Sequence, residues 1–136
     1  MIFGIGIDLA EVRRIRESFQ KFGTRFQRRV FTPDEIAFCE TLPDPPDGRA
    51  GKYLSYAARF AAKEAFSKAL GTGLRGAIGW AEIQVNDNER TRPTMTVFGA
   101  ARRLLGDRRV SVSLSHIRDY ATAMVVIEES PVQAQP

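Results

Sequence analysis

The run RFAAKEAFSKALGTG, from Arg59 to Gly73, constrains the fold more than any other stretch of this chain. Its alanines, leucine and lysines favour a helix, no proline interrupts it, and Gly71 stands where a left-handed cap would end it. At about 100° per residue, Ala58, Ala61, Ala62, Ala65 and Ala69 share one face with Leu54, and such small side chains let a sheet or another helix approach closely. Glu64 and Lys68, four residues apart, form a second stripe beside that face, with Phe60 one turn before and Gly71 one turn after. The ordinary account of that spacing is a surface ion pair. Here Arg59 and Lys63 add positive charge, and Gly71, Thr72 and Gly73 offer bare backbone to a ligand. A carboxylate among cations points to a metal and phosphates.

The strand before this helix supplies a second carboxylate. In IFGIGIDL, Phe3, Ile5, Ile7 and Leu9 face one way, and Gly4, Gly6 and Asp8 the other. Alternate glycines allow another backbone or a ligand to come close, and they leave Asp8 projecting near the strand end. An N-cap for the following helix is the competing role for Asp8. Zinc-type sites are disfavoured, because the chain has one cysteine and one histidine, Cys39 and His116. Carboxylates suit magnesium instead.

The length of 136 residues, 43% of them hydrophobic, fits one domain with a modest core, here placed at 1–129 with a frayed tail over 130–136. A net charge of +4 suggests a polyanionic partner: nucleic acid, a phosphate-rich ligand or an acidic protein. A lone cysteine fits a reducing, cytoplasmic setting. No apolar run approaches the roughly 18 residues that span a bilayer, and Asp8 and Glu11 interrupt a signal-peptide pattern, so a soluble, unprocessed chain is expected.

Between Glu11 and Gly23, Val12, Ile15, Phe19 and Phe22 recur at helical spacing and are expected to point inward, while Arg13, Arg14, Arg16 and Lys21 take other faces. Arg25, Arg28 and Arg29 extend the positive charge. This is a solvated basic face or a docking surface for an acidic partner. Thr32-Pro33-Asp34-Glu35 has the form of a capping box opening a helix that runs to about Thr41. Leu42 to Gly51 must be a loop, the central helix is expected from about Leu54 to Leu70, and Gly71 to Gly79 form a turn. The period then switches to two. Ala81, Ile83 and Val85 mark a strand, Asn86-Asp87-Asn88 a turn, Thr94 to Phe98 the returning strand, and Gly99 to Leu105 a short helix. Val110, Val112 and Leu114 alternate with serines up to His116, and Tyr120 to Glu128 reads as a central strand with Ala121, Ala123, Val125 and Ile127 on one face.

GIGID ending at Asp8, FTPDE at Phe31 to Glu35, RFAAKEAFSKALGTG at Arg59 to Gly73 and SLSHIRDYA at Ser113 to Ala121 together resemble the holo-[acyl-carrier-protein] synthases, small bacterial 4′-phosphopantetheinyl transferases. The resemblance spans Ile2 to Glu128, and only the somewhat long Leu42 to Gly51 loop departs from it. It implies an α+β fold, an antiparallel-rich sheet packed against a long central helix, and a homotrimer with sites between subunits. It also implies transfer of phosphopantetheine from coenzyme A to a serine of apo acyl carrier protein, in support of fatty acid biosynthesis, leaving adenosine 3′,5′-bisphosphate. On the family's pattern Asp8 and Glu64 hold Mg2+, with Mn2+ as a substitute, and Lys68 meets the phosphates. Arg59, Gly71, Thr72, Gly73 and His116 bind coenzyme A, although a strand-end histidine is by itself as well explained structurally. Arg14, Lys21, Arg25 and Arg28 dock the acidic carrier. A nucleic-acid-binding module is the alternative from another class; it leaves Asp8 and Glu64 unexplained. A related transferase acting on a polyketide carrier is the other.

Overall fold

The computed structural model describes residues 1–46, 51–74 and 76–130. The chain opens with β1 (Ile2–Glu11) and three helices, α1 (Val12–Phe22), α2 (Thr24–Val30) and α3 (Pro33–Cys39), before the long α4 (Lys52–Leu70). A single 3-10 turn (Trp80–Glu82) leads into β2 (Ile83–Asn86) and β3 (Thr94–Val97), followed by α5 (Gly99–Leu105), β4 (Arg109–His116) and β5 (Tyr120–Glu128). The expected α+β class holds. The strands divide into an antiparallel sheet in the order β1-β5-β4 and a separate β2-β3 ribbon. β5 is central, as its apolar composition requires.

The register explains how α4 and β1 meet. Gly6 pairs with Val125 and Asp8 with Ala123, so the Gly4, Gly6 and Asp8 side of β1 continues into the buried Ala121, Ala123, Val125 and Ile127 of β5. α4 lies across this face with Ala61, Ala62 and Ala65 wholly buried. A Cβ on Gly4 would collide with the Ala69 carbonyl, and one on Gly6 with the Ala65 carbonyl. Of the two occupants that the glycines admit, a backbone or a ligand, it is the backbone of α4 that fills the space.

This packing leaves the apolar side of β1 outward. Ile5, Ile7 and Leu9 are 56%, 62% and 63% exposed, with Phe3 and Met124 also exposed on that side of the sheet.

Local chemistry sets the other boundaries. Thr32 Oγ1 accepts from Glu35 N while Glu35 Oε1 accepts from Thr32 N, completing the capping box of α3. Gly71 ends α4 at φ 86°, the left-handed cap expected of it. α1 stops at Gly23, with φ 57°, where its periodicity ends, and Thr24–Val30 form a further helix in the Arg25, Arg28 and Arg29 stretch, for which no element was expected. Two expectations need correction. Phe19 joins an aromatic cluster with Phe26, Phe31, Tyr53 and Tyr56, but Phe22 is 51% exposed, because it lies in the last turn of α1 where the chain breaks away. Ala81 belongs to the 3-10 turn rather than to β2. Parts of the expected 42–51 loop and 71–79 turn, and the tail over 131–136, lie outside the described residues.

Candidate active site

Asp8 projects from β1 toward α4 with 18% of its side chain exposed. The strand continues to Glu11, which is the N-cap of α1, so Asp8 has no capping role. Its partner is Lys68, whose Nζ lies 3.0 Å from Asp8 Oδ1 and also donates to the Ile7 carbonyl at 3.0 Å. The spacing between Glu64 and Lys68 therefore serves a contact across the sheet as well as the helix surface. Thr122 Oγ1 donates to the Asp8 carbonyl at 2.8 Å, fixing the strand at this residue.

The direction of α4 brings Glu64 level with Asp8 along the helix. Moving from Gly4 to Gly6 along β1 moves the contact from Ala69 back to Ala65. Two strand residues rise about 6.6 Å and four helix residues about 6 Å, so Asp8 is level with the turn that ends at Glu64. Glu64 is half-buried there. Among the described residues no group of three His, Cys, Asp or Glu side chains converges. A cation at Asp8 and Glu64 would thus take two carboxylates and complete its shell with water and phosphate oxygens, the usual pattern for Mg2+. The donor set fits that ion. Lys68, with 53% of its side chain exposed, can leave Asp8 for a phosphate without being extracted from a core.

Arg59 and His116 mark a second region. Arg59 is buried; Nη1 donates to Ser55 Oγ at 2.5 Å, Nη2 to the Asp87 carbonyl at 2.6 Å, and the guanidinium lies 4.9 Å from the Phe38 ring centre. Its Nε has no partner among the described residues. It lines a groove of about 930 Å³ with His116, Thr91, Arg92 and Ser111. His116 ends β4 on the sheet face that carries Asp8, two strands away, and is exposed. Asp8, Glu64, Lys68 and the 71–73 segment do not line this groove. Gly71 and Gly73 are exposed, and Thr72 Oγ1 is buried without a partner among the described residues. Within one chain the expected residues thus form two regions, with Arg59 five residues before Glu64 on α4, about 7.5 Å at ~1.5 Å per residue.

Lys63, expected only to add positive charge beside Glu64, has a structural partner. It is fully buried, paired with Glu35 Oε1 at 2.6 Å. Burial lowers its pKa, and the Glu35 carboxylate opposes that shift. Cys39 is buried against Ser55, and desolvation raises its pKa despite the Arg59 charge, which disfavours a reactive thiolate. Sequence reasoning also missed the 87–94 segment as a wall of the groove; Asn86-Asp87-Asn88 marked only a turn. Arg14, Lys21, Arg25 and Arg28 are all exposed on α1 and α2, as either a solvated basic face or a docking surface requires.

The 4′-phosphopantetheinyl transferase superfamily matches residues 4–125. The chain belongs to this family. A holo-[acyl-carrier-protein] synthase of Koribacter versatilis is 45% identical over 132 residues, covering 95% of this chain and 100% of the relative. The crystal structure of the holo-[acyl-carrier-protein] synthase of Neisseria meningitidis superimposes with a TM-score of 0.81 at 36% identity, over 95% of this chain and 100% of that one. The synthase of Bacillus anthracis, solved in complex with CoA (3′,5′-ADP), gives a TM-score of 0.78 at 34% identity, over 96% and 99% of the two chains. The transferase fold is therefore shared over nearly the whole chain, the β1 and α4 segments that carry Asp8, Glu64 and Lys68 included.

Proposed function

We propose that this chain transfers 4′-phosphopantetheine from coenzyme A to a serine of apo acyl carrier protein, as a Mg2+-dependent holo-[acyl-carrier-protein] synthase supporting fatty acid biosynthesis in the cytoplasm. The observation that carries the reading is the 3.0 Å contact of Lys68 with Asp8, one helical turn from Glu64. The carrier's serine oxygen forms a bond to the β-phosphorus, the bond from that phosphorus to the bridging oxygen breaks so that adenosine 3′,5′-bisphosphate leaves with the electron pair, and the serine proton passes to solvent water. The nucleophile comes from the partner, so the chain's own task is electrostatic. Asp8 and Glu64 would hold Mg2+, which would supply charge neutralisation to the phosphates when bound. Lys68 turns from Asp8 to the phosphates and stabilises the charge of the leaving group. Arg59 and His116 hold the phosphates of coenzyme A in the groove, and Gly71, Thr72 and Gly73 admit its arm beside the end of α4.

The test mixes the protein with apo carrier, coenzyme A and magnesium and follows carrier mass. A gain of one phosphopantetheine, abolished by a chelator and restored by Mg2+ or Mn2+, is expected. Tight RNA binding with no mass gain on any of several carriers would overturn the reading.

Two further results are expected. Arg13 is neutralised by Glu17 at 3.0 Å and Arg16 meets Asp44 at 3.0 Å, whereas Arg14, Lys21, Arg25 and Arg28 pair with no carboxylate among the described residues. These four form the docking surface for an acidic carrier. Arg14→Glu should raise KM for carrier about tenfold, or ~1.4 kcal/mol, with KM for coenzyme A within about twofold in steady-state kinetics. Equal rises in both would count against it. The outward Ile5, Ile7, Leu9 and Met124 form an apolar face suited to self-association as a homotrimer, and the assembly would join the Asp8 region of one subunit to the groove of the next. Sedimentation should give three times the chain mass for the wild type and a single chain mass for Ile7→Glu.

A further inference from the structure

The transfer reaction above gives no role to the Lys63–Glu35 pair, although both side chains have no exposed surface. Lys63 Nζ donates to Glu35 Oε1 and the Val30 carbonyl at 2.6 Å each and to the Trp80 carbonyl at 3.2 Å. Glu35 accepts in turn from Thr32 N at 2.9 Å and from Val85 N at 2.9 Å. One ion pair thus joins α4 to the end of α2, the start of α3, the 3-10 turn and β2. Burying such a pair is a poor route to stability, since its attraction roughly offsets the loss of hydration. A group of this kind is better explained by what it specifies.

What needs specifying is the rotation of α4. Its sheet-facing stripe is alanine at 58, 61, 62, 65 and 69. Small smooth side chains permit close approach but resist rotation weakly, as they lack the knobs that lock larger residues into grooves. At about 100° per residue Lys63 lies on the face opposite this stripe, with Glu64 about 100° further round and Lys68 about 40° beyond it. Tyr56, on the Lys63 side, is held near the start of the helix by Glu40 at 2.9 Å and Gln27 at 3.0 Å. Lys63 does the corresponding work in the middle, immediately before Glu64.

The geometry points to the Lys63–Glu35 pair as a positioning device that fixes the rotation of α4 and so holds Glu64 opposite Asp8. A helix with its side chains is about 10–12 Å across, so a rotation of ~10° displaces a carboxylate on its rim by about 1 Å. Displacements of that size cost up to ~100-fold in rate. The inference rests on the reading of Asp8 and Glu64 as ligands of a divalent cation.

The experiment compares the full-length wild type with the double variant Glu35→Gln and Lys63→Met, which removes both charges together and leaves neither buried alone. Its readouts are thermal unfolding, Mn2+ binding to the free protein by electron paramagnetic resonance, and steady-state transfer to carrier. The double variant should unfold within a few degrees of the wild type, bind Mn2+ about tenfold more weakly and lose about 10- to 100-fold in kcat, with KM for carrier within about twofold. If it does not fold, the pair Glu35→Gln with Lys63→Gln, which keeps a hydrogen bond between the two side chains, is measured in the same way. Wild-type Mn2+ affinity and kcat in a folded double variant would overturn the inference alone. A wild type that binds no Mn2+ would overturn the ligand assignment and this inference with it.

Discussion

Glu64→Gln should reduce transfer by at least about a thousandfold while the protein unfolds within a few degrees of the wild type. The substitution keeps the shape of the side chain and removes one of the two negative charges offered to the cation. Removing a single preorganised charge-stabilising group typically costs ~10²–10³ in kcat, about 3–4 kcal/mol, and here the same change also weakens metal binding. The fold should persist, because Asp8 keeps Lys68 at 3.0 Å and the alanine face of α4 remains packed on β1. Asp8→Asn is less clean, since it removes a proposed ligand and the partner of Lys68 together. The deciding measurement is carrier mass against time at saturating Mg2+, beside a melting curve. Wild-type turnover by Glu64→Gln would end the ligand assignment. Recovery at raised Mn2+, with KM for carrier unchanged, would place the loss at the metal.

How much of this was legible in the sequence depended on the range of the interaction. Thr32 and Glu35 are three residues apart, and their capping box could be written down before any coordinates. Gly71 needed only the left-handed preference of glycine at a helix end. The facing of β1 and β5 followed from alternation. Contacts between distant segments left weaker traces. That Lys68 reaches Asp8 depends on α4 running antiparallel to β1 across its glycine face, a tertiary fact with no periodic signal. Glu35 looked complete as a capping residue, yet one of its oxygens also receives Lys63 and the other Val85 N. The sequence carried no sign that Arg59 is buried, with its guanidinium donating to Ser55 and the Asp87 carbonyl. That side chain reaches the groove from within the core. Composition marks a lysine or arginine as exposed by default, and only the fold shows which of them are enclosed.

Gly6→Ala tests the link between β1 and α4 most directly, and its expected effect on stability is the largest of any single substitution considered. The added Cβ would overlap the Ala65 carbonyl and approach the Ala69 amide nitrogen at 2.9 Å, and neither backbone group can rotate aside as a side chain could. β1 must move away from α4 by roughly an ångström, which loosens the contacts of Ala65 and its neighbours. Overpacking of this kind costs about 1–3 kcal/mol and at times more. For a chain of this length each kcal/mol lowers Tm by roughly 3–5 °C, so a fall of about 10 °C is expected in a melting experiment. Activity should fall as well, because Asp8 is two residues along the same strand and moves with it. Gly76→Ala is the control. Among the described residues no atom lies within 4 Å of its Cβ position, so Tm should change by less than about 2 °C. A Gly6→Ala protein as stable as the wild type would mean that α4 is free to retreat from the strand. The alignment of Glu64 with Asp8 would then need a holder other than the glycine face of β1.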